Sequence, residues 1–539
     1  MQTDSCHVTE QNPSPAWMNY LTRPRAGILL TLLFVALHLI GLTHHSFWVD
    51  EFRTYGVVQL PVEELKANRF AAGHIPTYFL MMKAWCEVAG ASDWSLRAAS
   101  TFFAALAFLA FFFLARSFLR DRLTFLLAIG LFFFQPFLYW SAREARMYSL
   151  LTAVSIFCVY CLLSYIIHRR WPFLLGYCAA VLFGMSLHLI FAFQLITHLV
   201  FMLVYYRRLF RGFLIAVALC VLAVTPLFFT TLQKNDYYHP KLTLRSPSFT
   251  RAAKNLGVLT STSFRESWVY KPRNMGNVFV TTATFFFVVF LVQGIRRYRS
   301  LPPLQPENLQ SGNPQEETLA REKLLLRYCF YWIAIPVFLM MMSELLNNPK
   351  VRPARYGIPM LGAVTILVTL SLRSFPRNRW GQFARWGYGI FFLIGLLTQA
   401  FYPGPGVRDT LYYIQKHYQP GDCVLLWSGG ARRYGFSLYG MPYMKVQGIE
   451  EDNDNNTLND PQHTLEQILT ASQNCRRVWF LMDKAEDQEE TFQNFLENYP
   501  NLFERFDEFK VRKTVVQGYR CLPRPTQNSQ ALPGPVSTQ

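Results

Sequence analysis

The chain has 539 residues, of which 52% are hydrophobic and only 16% are charged, and its formal net charge is +18 at pH 7. Soluble proteins carry about 25% charged residues, so this composition excludes an ordinary soluble globular chain. The positive charge does not indicate nucleic-acid binding, because the Lys and Arg lie in short loops between long apolar runs. The chain is therefore predicted to be an α-helical polytopic membrane protein.

The first apolar run follows a polar N-terminal segment. Residues 1–22 are predicted to be disordered and cytoplasmic, and Arg23 and Arg25 precede the run 26–42. No small-residue cleavage site follows this run, so it is predicted to be an uncleaved first span.

Ten further runs have bilayer length. They lie at residues 95–119, 123–140, 147–167, 172–187, 189–206, 212–231, 277–295, 327–343, 356–372 and 387–402. With about eleven spans, the arginine-rich loops all fall on the cytoplasmic side. The sequence therefore predicts a multi-pass membrane protein, with a cytoplasmic N-terminus and an extracytoplasmic C-terminus.

Two adjacent carboxylates, Asp50 and Glu51, follow the first span on the outer side. Carboxylates near hydrocarbon are costly and tend to be functional, and one of them can act as a general base. A solvated pair of loop charges is an equal alternative on these residues alone.

His74 precedes Pro76 at the start of a helix predicted over 76–88, which has the pattern of an interfacial helix. This histidine is either a metal ligand, together with Asp50, or an ordinary loop residue. A divalent metal ion is thus one option for a cofactor, and arginine side chains are the alternative source of positive charge.

Several arginines also lie on the outer side, against the positive-inside trend. Guanidinium groups bind phosphate in a forked geometry, so these segments predict an anionic ligand, with interfacial anchoring as the alternative. Glu144, within the first segment, could pair with the arginines or face an acceptor. The candidates for binding the anion are Arg143, Arg146, Tyr148, Lys350, Arg352, Arg355 and Tyr356.

The polar tail has a different pattern. Strand-like runs at Cys423–Trp427 and Val478–Met482 alternate with helix-like runs at 408–418, 463–472 and 486–498, which predicts a small α/β extracytoplasmic domain over 403–522. Residues 523–539 are predicted to be disordered. A Cys475–Cys521 disulfide is one option outside the cytoplasm, although spacing alone does not determine connectivity.

Five segments carry a family resemblance: "FWVDEFRTYG", "GHIPTYFLMMKAW", "DWSLRAAS", "YWSAREARMYSLL" and "VRPARYGIPML". They resemble bacterial membrane glycosyltransferases of the protein-mannosyltransferase type, glycosyltransferase family 39, which have the GT-C fold. The resemblance implies a GT-C transmembrane catalytic domain over 23–402 and a polyprenyl-phosphate sugar donor. It also implies location in a bacterial inner membrane and inverting hexosyl transfer to an extracytoplasmic glycolipid, polysaccharide or protein.

The resemblance also implies roles for individual residues. Asp50 matches the acidic catalytic residue, with Glu51 beside it, and Glu144 matches a second acidic position. Arg146 and Tyr148 match a paired Arg and Tyr, and Arg355-Tyr356 matches a later pair. Family members often have two prolines after the histidine, whereas this chain has His74-Ile75-Pro76, which weakens the assignment of His74.

Two other function classes remain open on the sequence. A transporter or flippase of lipid-linked sugars would place ionisable groups near the midplane, whereas here they cluster at one surface. A non-enzymatic assembly factor would use the tail 403–539 as a binding module. The donor sugar and the acceptor are not determined by any motif.

Overall fold

The structure is a computed structural model, which describes residues 20–234, 273–345, 354–401, 406–426, 433–448, 461–483, 496, 499–511 and 514–522. Some predictions lie outside these residues. They are the disorder of 1–19 and 523–539, most of the helix at 486–498, and the roles of Lys350 and Arg352.

The chain divides into two compact units. The first contains Met1–Ile40, Glu63–Met81 and Arg97–Phe401, and the second contains Gly41–Val62, Met82–Leu96 and Tyr402–Gln539. The second unit therefore includes two segments of the first outer loop, which the sequence analysis assigned to the transmembrane domain. The predicted boundaries at 402 and 522 stay a prediction.

Helices dominate the N-terminal half of the chain. In chain order they are α1 (Pro24–Leu39), α2 (Val49–Val58), α3 (Val62–Ala71), α4 (Thr77–Ala89), α5 (Asp93–Phe118), α6 (Arg122–Phe133), α7 (Pro136–Ala142), α8 (Tyr148–His168), α9 (Trp171–Leu187), α10 (Phe191–Tyr205) and α11 (Arg207–Gln233). The helix predicted over 76–88 is present as α4.

The later helices include the last predicted spans. They are α12 (Arg273–Ser300), α13 (Pro314–Leu345), α14 (Leu361–Ser374), α15 (Arg379–Ala400), α16 (Val407–His417), α17 (Arg433–Leu438) and α18 (Pro461–Ala471). Short 3-10 helices lie at Pro306–Gln310 and Ala354–Met360.

Each of the eleven predicted apolar runs falls on helix. Among the described residues, six helices are long and apolar enough to cross a membrane, or seven if α6 and α7 form one bent span. The run at 123–140 was predicted to be one continuous helix, but the chain bends by 44° between α6 and α7. Pro136 lacks an N–H and begins α7, where Gln135 caps the new helix through Phe137 N–H and Leu138 N–H.

Burial differs among the spans of the first unit. Helices α8 and α14 are mostly buried, whereas most residues of α11 and α12 are only partly buried or exposed. A helix that is hydrophobic all round packs in the centre of a bundle or faces lipid. The first unit is thus a helix bundle whose outer helices present an apolar surface, as a bilayer requires.

The second unit contains a five-stranded mixed sheet with strand order β2-β1-β3-β5-β4. Its strands are β1 (Asp422–Leu426), β2 (Lys445–Gly448), β3 (Arg477–Asp483), β4 (Phe503–Val511) and β5 (Thr514–Cys521). Strand β1 pairs in parallel with β2 and β3, and β5 pairs in antiparallel with β3 and β4.

The predicted α/β character of the tail is confirmed. Strands β1 and β3 and helices α16 and α18 coincide with predicted runs, and Leu465 and Ile468 of α18 join the buried core with Val478 and Phe480 of β3. Strands β2, β4 and β5 were not predicted from the sequence. Strand β2 has only four residues, and β4 carries charged residues between its apolar ones. Strand β5 is largely buried, although Gln517 and Gly518 interrupt its apolar run.

The disulfide prediction was wrong in its pairing. Cys475 is bonded to Cys423 rather than to Cys521, with 5.7 Å between the Cα atoms. The reason is tertiary: β1 and β3 are neighbouring strands, so Cys423 lies next to Val478, close to Cys475 at the start of β3. Disulfides of this kind persist in oxidising, extracytoplasmic compartments.

We expect Cys475→Ser to lower the free energy of unfolding of the second unit by about 2–5 kcal/mol, because the bond closes a long loop. Alkylation of denatured protein with a maleimide polymer, before and after reduction, measures the bond. Cys521→Ser is the matched control and should leave the Cys423–Cys475 bond intact. If the disulfide were lost in Cys521→Ser but retained in Cys475→Ser, the observed Cys423–Cys475 pairing would be contradicted.

Candidate functional site: a carboxylate at a helix start and an arginine cluster

Asp50 and Glu51 lie in the first turn of α2. Glu51 is 1% exposed and its Oε2 accepts the backbone N–H of Trp48 at 3.2 Å, so it caps the helix. The Asp50 side chain is 15% exposed and lies 3.7 Å from the guanidinium of Arg53. Acidic side chains in the first turn are favourable for a helix, because they lie at the positive end of its dipole. Asp50 is therefore the more accessible carboxylate, while Glu51 has a structural role in holding the helix start.

The turn between α7 and α8, in the first unit, holds the next predicted residues. Arg143 donates a hydrogen bond to the carbonyl of Ile40, and its guanidinium lies 4.4 Å from the Tyr139 ring centroid. These contacts tie the turn to the end of α1. Glu144 is 2% exposed in the same turn. The geometry gives Arg143 an anchoring contact within the bundle.

Arg146 has different neighbours from Arg143. It is 5% exposed, and its guanidinium carbon lies 5.9 Å from the Phe79 ring centroid. Arg69 lies over the same ring at 4.9 Å and is also buried. Two guanidinium groups thus share one aromatic neighbour, which brings positive charge from α3 and from the α7–α8 turn together.

Arg355 and Tyr356 lie in the 3-10 helix Ala354–Met360. The guanidinium carbon of Arg355 is 5.9 Å from the Tyr148 ring centroid and 5.5 Å from that of Tyr356. The structure therefore brings together two predicted segments that are some 200 residues apart in the sequence.

The sequence analysis missed His188, which lies in the turn between α9 and α10. Its ring is 5.6 Å from that of Tyr356, and its Nδ1 accepts the backbone N–H of Ile190 at 3.1 Å. Burial, followed by the positive charges of Arg146 and Arg355, lowers the pKa of His188 to about 4. The imidazole is therefore neutral at pH 7, with its proton on Nε2.

We call Arg69, Arg146, His188 and Arg355 the arginine cluster. It contains three guanidinium groups and one imidazole N–H donor at one end of the helix bundle. Arg69 was also not predicted to be a site residue. Like Arg146, it lies in a segment predicted to be on the outer side, where arginine departs from the positive-inside trend. Concentrated positive charge at low dielectric is suited to binding an anion such as a phosphate.

His74 lies beside the cluster. Its ring is 6.2 Å from that of Phe79, and its backbone N–H donates to the Arg69 carbonyl at 2.8 Å. Among the described residues, no group of three or more His, Cys, Asp and Glu side chains is arranged to hold a metal ion. The proposed metal pair of Asp50 and His74 stays a prediction.

The fold defines a class, the polytopic membrane proteins with the GT-C fold, and the predicted fold is confirmed. No protein-family model and no curated protein matches the chain. Two solved structures of ArnT from Cupriavidus metallidurans are similar to it, one bound to undecaprenyl phosphate and one in the apo state. Both have a TM-score of 0.54 and 12% sequence identity. The match to the structure with undecaprenyl phosphate covers 91% of this chain and 97% of the ArnT chain. The match to the apo structure covers 94% of this chain and 98% of the ArnT chain.

His188 should make the first unit less stable in acid. Its folded pKa of about 4 is below the usual 6.5, so unfolded chains bind a proton first as the pH falls. The stabilisation that the neutral His188 gives to the folded first unit is complete above about pH 6.5 and is lost as the pH falls towards 4. At pH 4.5 the loss is about 2–3 kcal/mol. His188→Gln can still accept the Ile190 N–H but cannot titrate. We expect its melting temperature to fall less than that of the wild type between pH 7 and 4.5; equal falls would contradict this origin.

Proposed function

We propose that the protein is a glycosyltransferase that moves a sugar from a polyprenyl-phosphate carrier to an acceptor outside the cytoplasm. The observation that carries the proposal is the arginine cluster, which is suited to the phosphate of such a donor. The GT-C fold supports it, because ArnT with the same fold binds undecaprenyl phosphate.

The donor phosphate is held by Arg146, Arg355 and the Nε2–H of His188. Arg69 adds a third positive charge beside Phe79. A phosphodiester has one negative charge, and its non-bridging oxygens accept hydrogen bonds from such groups. As the sugar leaves, a second negative charge develops on the phosphate. The same cations therefore stabilise the transition state more than the ground state, which is the requirement for catalysis.

Asp50 acts as the general base. It takes the proton of the acceptor hydroxyl, and the acceptor oxygen forms a bond to the anomeric carbon. The bond from that carbon to the donor oxygen breaks, and polyprenyl phosphate leaves. A single displacement of this kind inverts the anomeric configuration. Asp50 suits this role better than Glu51, because the Glu51 carboxylate already accepts the Trp48 N–H.

The reaction takes place on the extracytoplasmic face of the inner membrane. The Cys423–Cys475 disulfide supports this orientation, because such bonds are rare in the cytoplasm. The alternation of arginine-rich loops supports it independently and favours a cytoplasmic N-terminus.

Loss of one guanidinium from the cluster should weaken donor binding. A hydrogen bond to a charged group contributes about 1.5–3 kcal/mol, so Arg146→Ala or Arg355→Ala should lower the affinity for undecaprenyl phosphate about 10–100-fold. Titration of purified protein with undecaprenyl phosphate, followed by tryptophan fluorescence, measures this. Arg377→Ala removes an exposed arginine outside the cluster and is the control. Unchanged affinity in both cluster variants would refute the assignment.

Replacing the base should stop transfer without releasing the donor. Asp50→Asn should reduce product at least about 100-fold while undecaprenyl phosphate still binds, because general-base catalysis contributes about 10²–10⁴-fold. Product is measured by mass spectrometry of envelope lipids and glycans from cells with and without the gene. Glu63→Gln, an exposed carboxylate on α3, is the control. Full activity of Asp50→Asn would exclude the base, and movement of lipid-linked sugar without a new glycosidic bond would favour a transporter.

A further inference from the structure

Helix α2, which carries Asp50, is too short to hold its own position. It has ten residues, and isolated helices shorter than about 12–15 residues are marginal in water. Most of its residues are nevertheless buried, including Phe52 at 0% exposure and Gly56. Its position therefore depends on what packs against it in the second unit.

The first packing contact is with Tyr434 of α17. A Cβ atom added at Gly56 would come within 2.4–2.6 Å of three carbons of the Tyr434 ring. Real Cβ atoms do not approach other atoms so closely, so the ring lies directly on the backbone of α2. Glycine is the residue that permits this contact in the middle of the helix.

The second contact is reciprocal. A Cβ atom added at Gly435 would meet the Phe52 ring at 3.1 Å and Leu411 of α16 at 2.9 Å. Phe52 is also in edge contact with the ring of Tyr439, with centroids 6.4 Å apart. A glycine on each helix thus receives an aromatic ring from the other, which leaves little freedom for sliding.

Polar contacts hold the two ends of the same segment. Arg408 of α16 donates to the carbonyls of Thr43 at 2.8 Å and His44 at 3.3 Å, in the stretch that leads into α2. Its guanidinium also lies 3.8 Å from the Asp93 carboxylate. At the other end of α2, Lys83 Nζ donates to the Val58 carbonyl at 3.3 Å.

We infer that the C-terminal domain positions the catalytic carboxylate, with Tyr434, Gly435 and Arg408 as positioning residues acting through α2. The inference rests on the proposed role of Asp50. It gives the tail a function in the reaction itself, rather than only in binding another protein. A displacement of about 1 Å at a reacting group can lower the rate about 100-fold. Transfer therefore requires that the residues packed against α2 hold Asp50 in place.

The test uses the full chain and a compensating pair of substitutions. Gly56→Ala should displace α2 from the Tyr434 ring and reduce product about 10–100-fold. The double variant G56A/Y434A makes room for the new methyl group and should regain a large part of that loss. Arg408→Gln, which releases Thr43 and His44, should reduce product in the same way. Gly387→Ala is the matched control, because a Cβ there meets nothing within 4 Å.

Three measurements accompany product formation: the amount of protein in the membrane, the Cys423–Cys475 bond, and the affinity for undecaprenyl phosphate. We expect all three to be unchanged in the single variants, so that the loss is in turnover. Normal product from Gly56→Ala and Arg408→Gln would overturn the inference. So would an inactive G56A/Y434A, because Gly56 would then act by another route. Absence of product in the wild type would instead overturn the proposed function.

Discussion

Positive charge buried in an apolar helix bundle is the constraint on which the proposed site depends. Arg146 and Arg69 are almost completely inside the first unit, and Arg355 and His188 adjoin them through Tyr148 and Tyr356. Removing guanidinium groups from water is costly, and a phosphate can accept hydrogen bonds from several of them at once. The proposed donor and its transition-state stabilisation rest on this concentration of charge. Burial, together with the same charges, keeps His188 neutral.

The protonation state of His188 depends on the other residues of the arginine cluster and on burial. A charged imidazole beside two guanidinium groups would be repelled, and burial penalises it further. The Ile190 N–H occupies Nδ1, so Nε2 carries the proton and can donate it in a hydrogen bond. His188 thus adds a donor to the cluster without adding to its charge.

The carboxylate side of the reaction depends on packing rather than on charge. Glu51 holds the start of α2, Gly56 accepts the Tyr434 ring, and Arg408 fixes the preceding stretch. The contacts of Tyr434 and Arg408 come from a domain whose sequence lies more than 350 residues later. A short helix can present Asp50 accurately because rigid neighbours compensate for its low intrinsic stability.

Much of the architecture was predictable because the bilayer imposes simple rules on sequence. Spans need about 20 apolar residues, so the apolar runs predicted the helices, and six or seven of the described helices are long and apolar enough to cross a membrane. Strands β1 and β3 were found as buried apolar runs. The break between α6 and α7 was missed although Pro136 marks it. Strands β2, β4 and β5 were missed because polar or charged residues interrupt their apolar runs. Arg146 and Arg355 were predicted as site residues because arginine in predicted outer segments departs from the positive-inside trend, and Tyr148 because of the family resemblance; their roles stay predictions.

What the sequence by itself determined is the kind of protein, a membrane-spanning helix bundle, and the residue types of a candidate site, an acidic pair and several arginines. Composition and periodicity carry that information locally. Only the tertiary structure decided that His188 and Arg69 join the cluster, that Cys475 pairs with Cys423, and that Tyr434 lies against α2. Each of these is a contact between distant segments, and such contacts depend on how helices and strands pack, which no local pattern specifies.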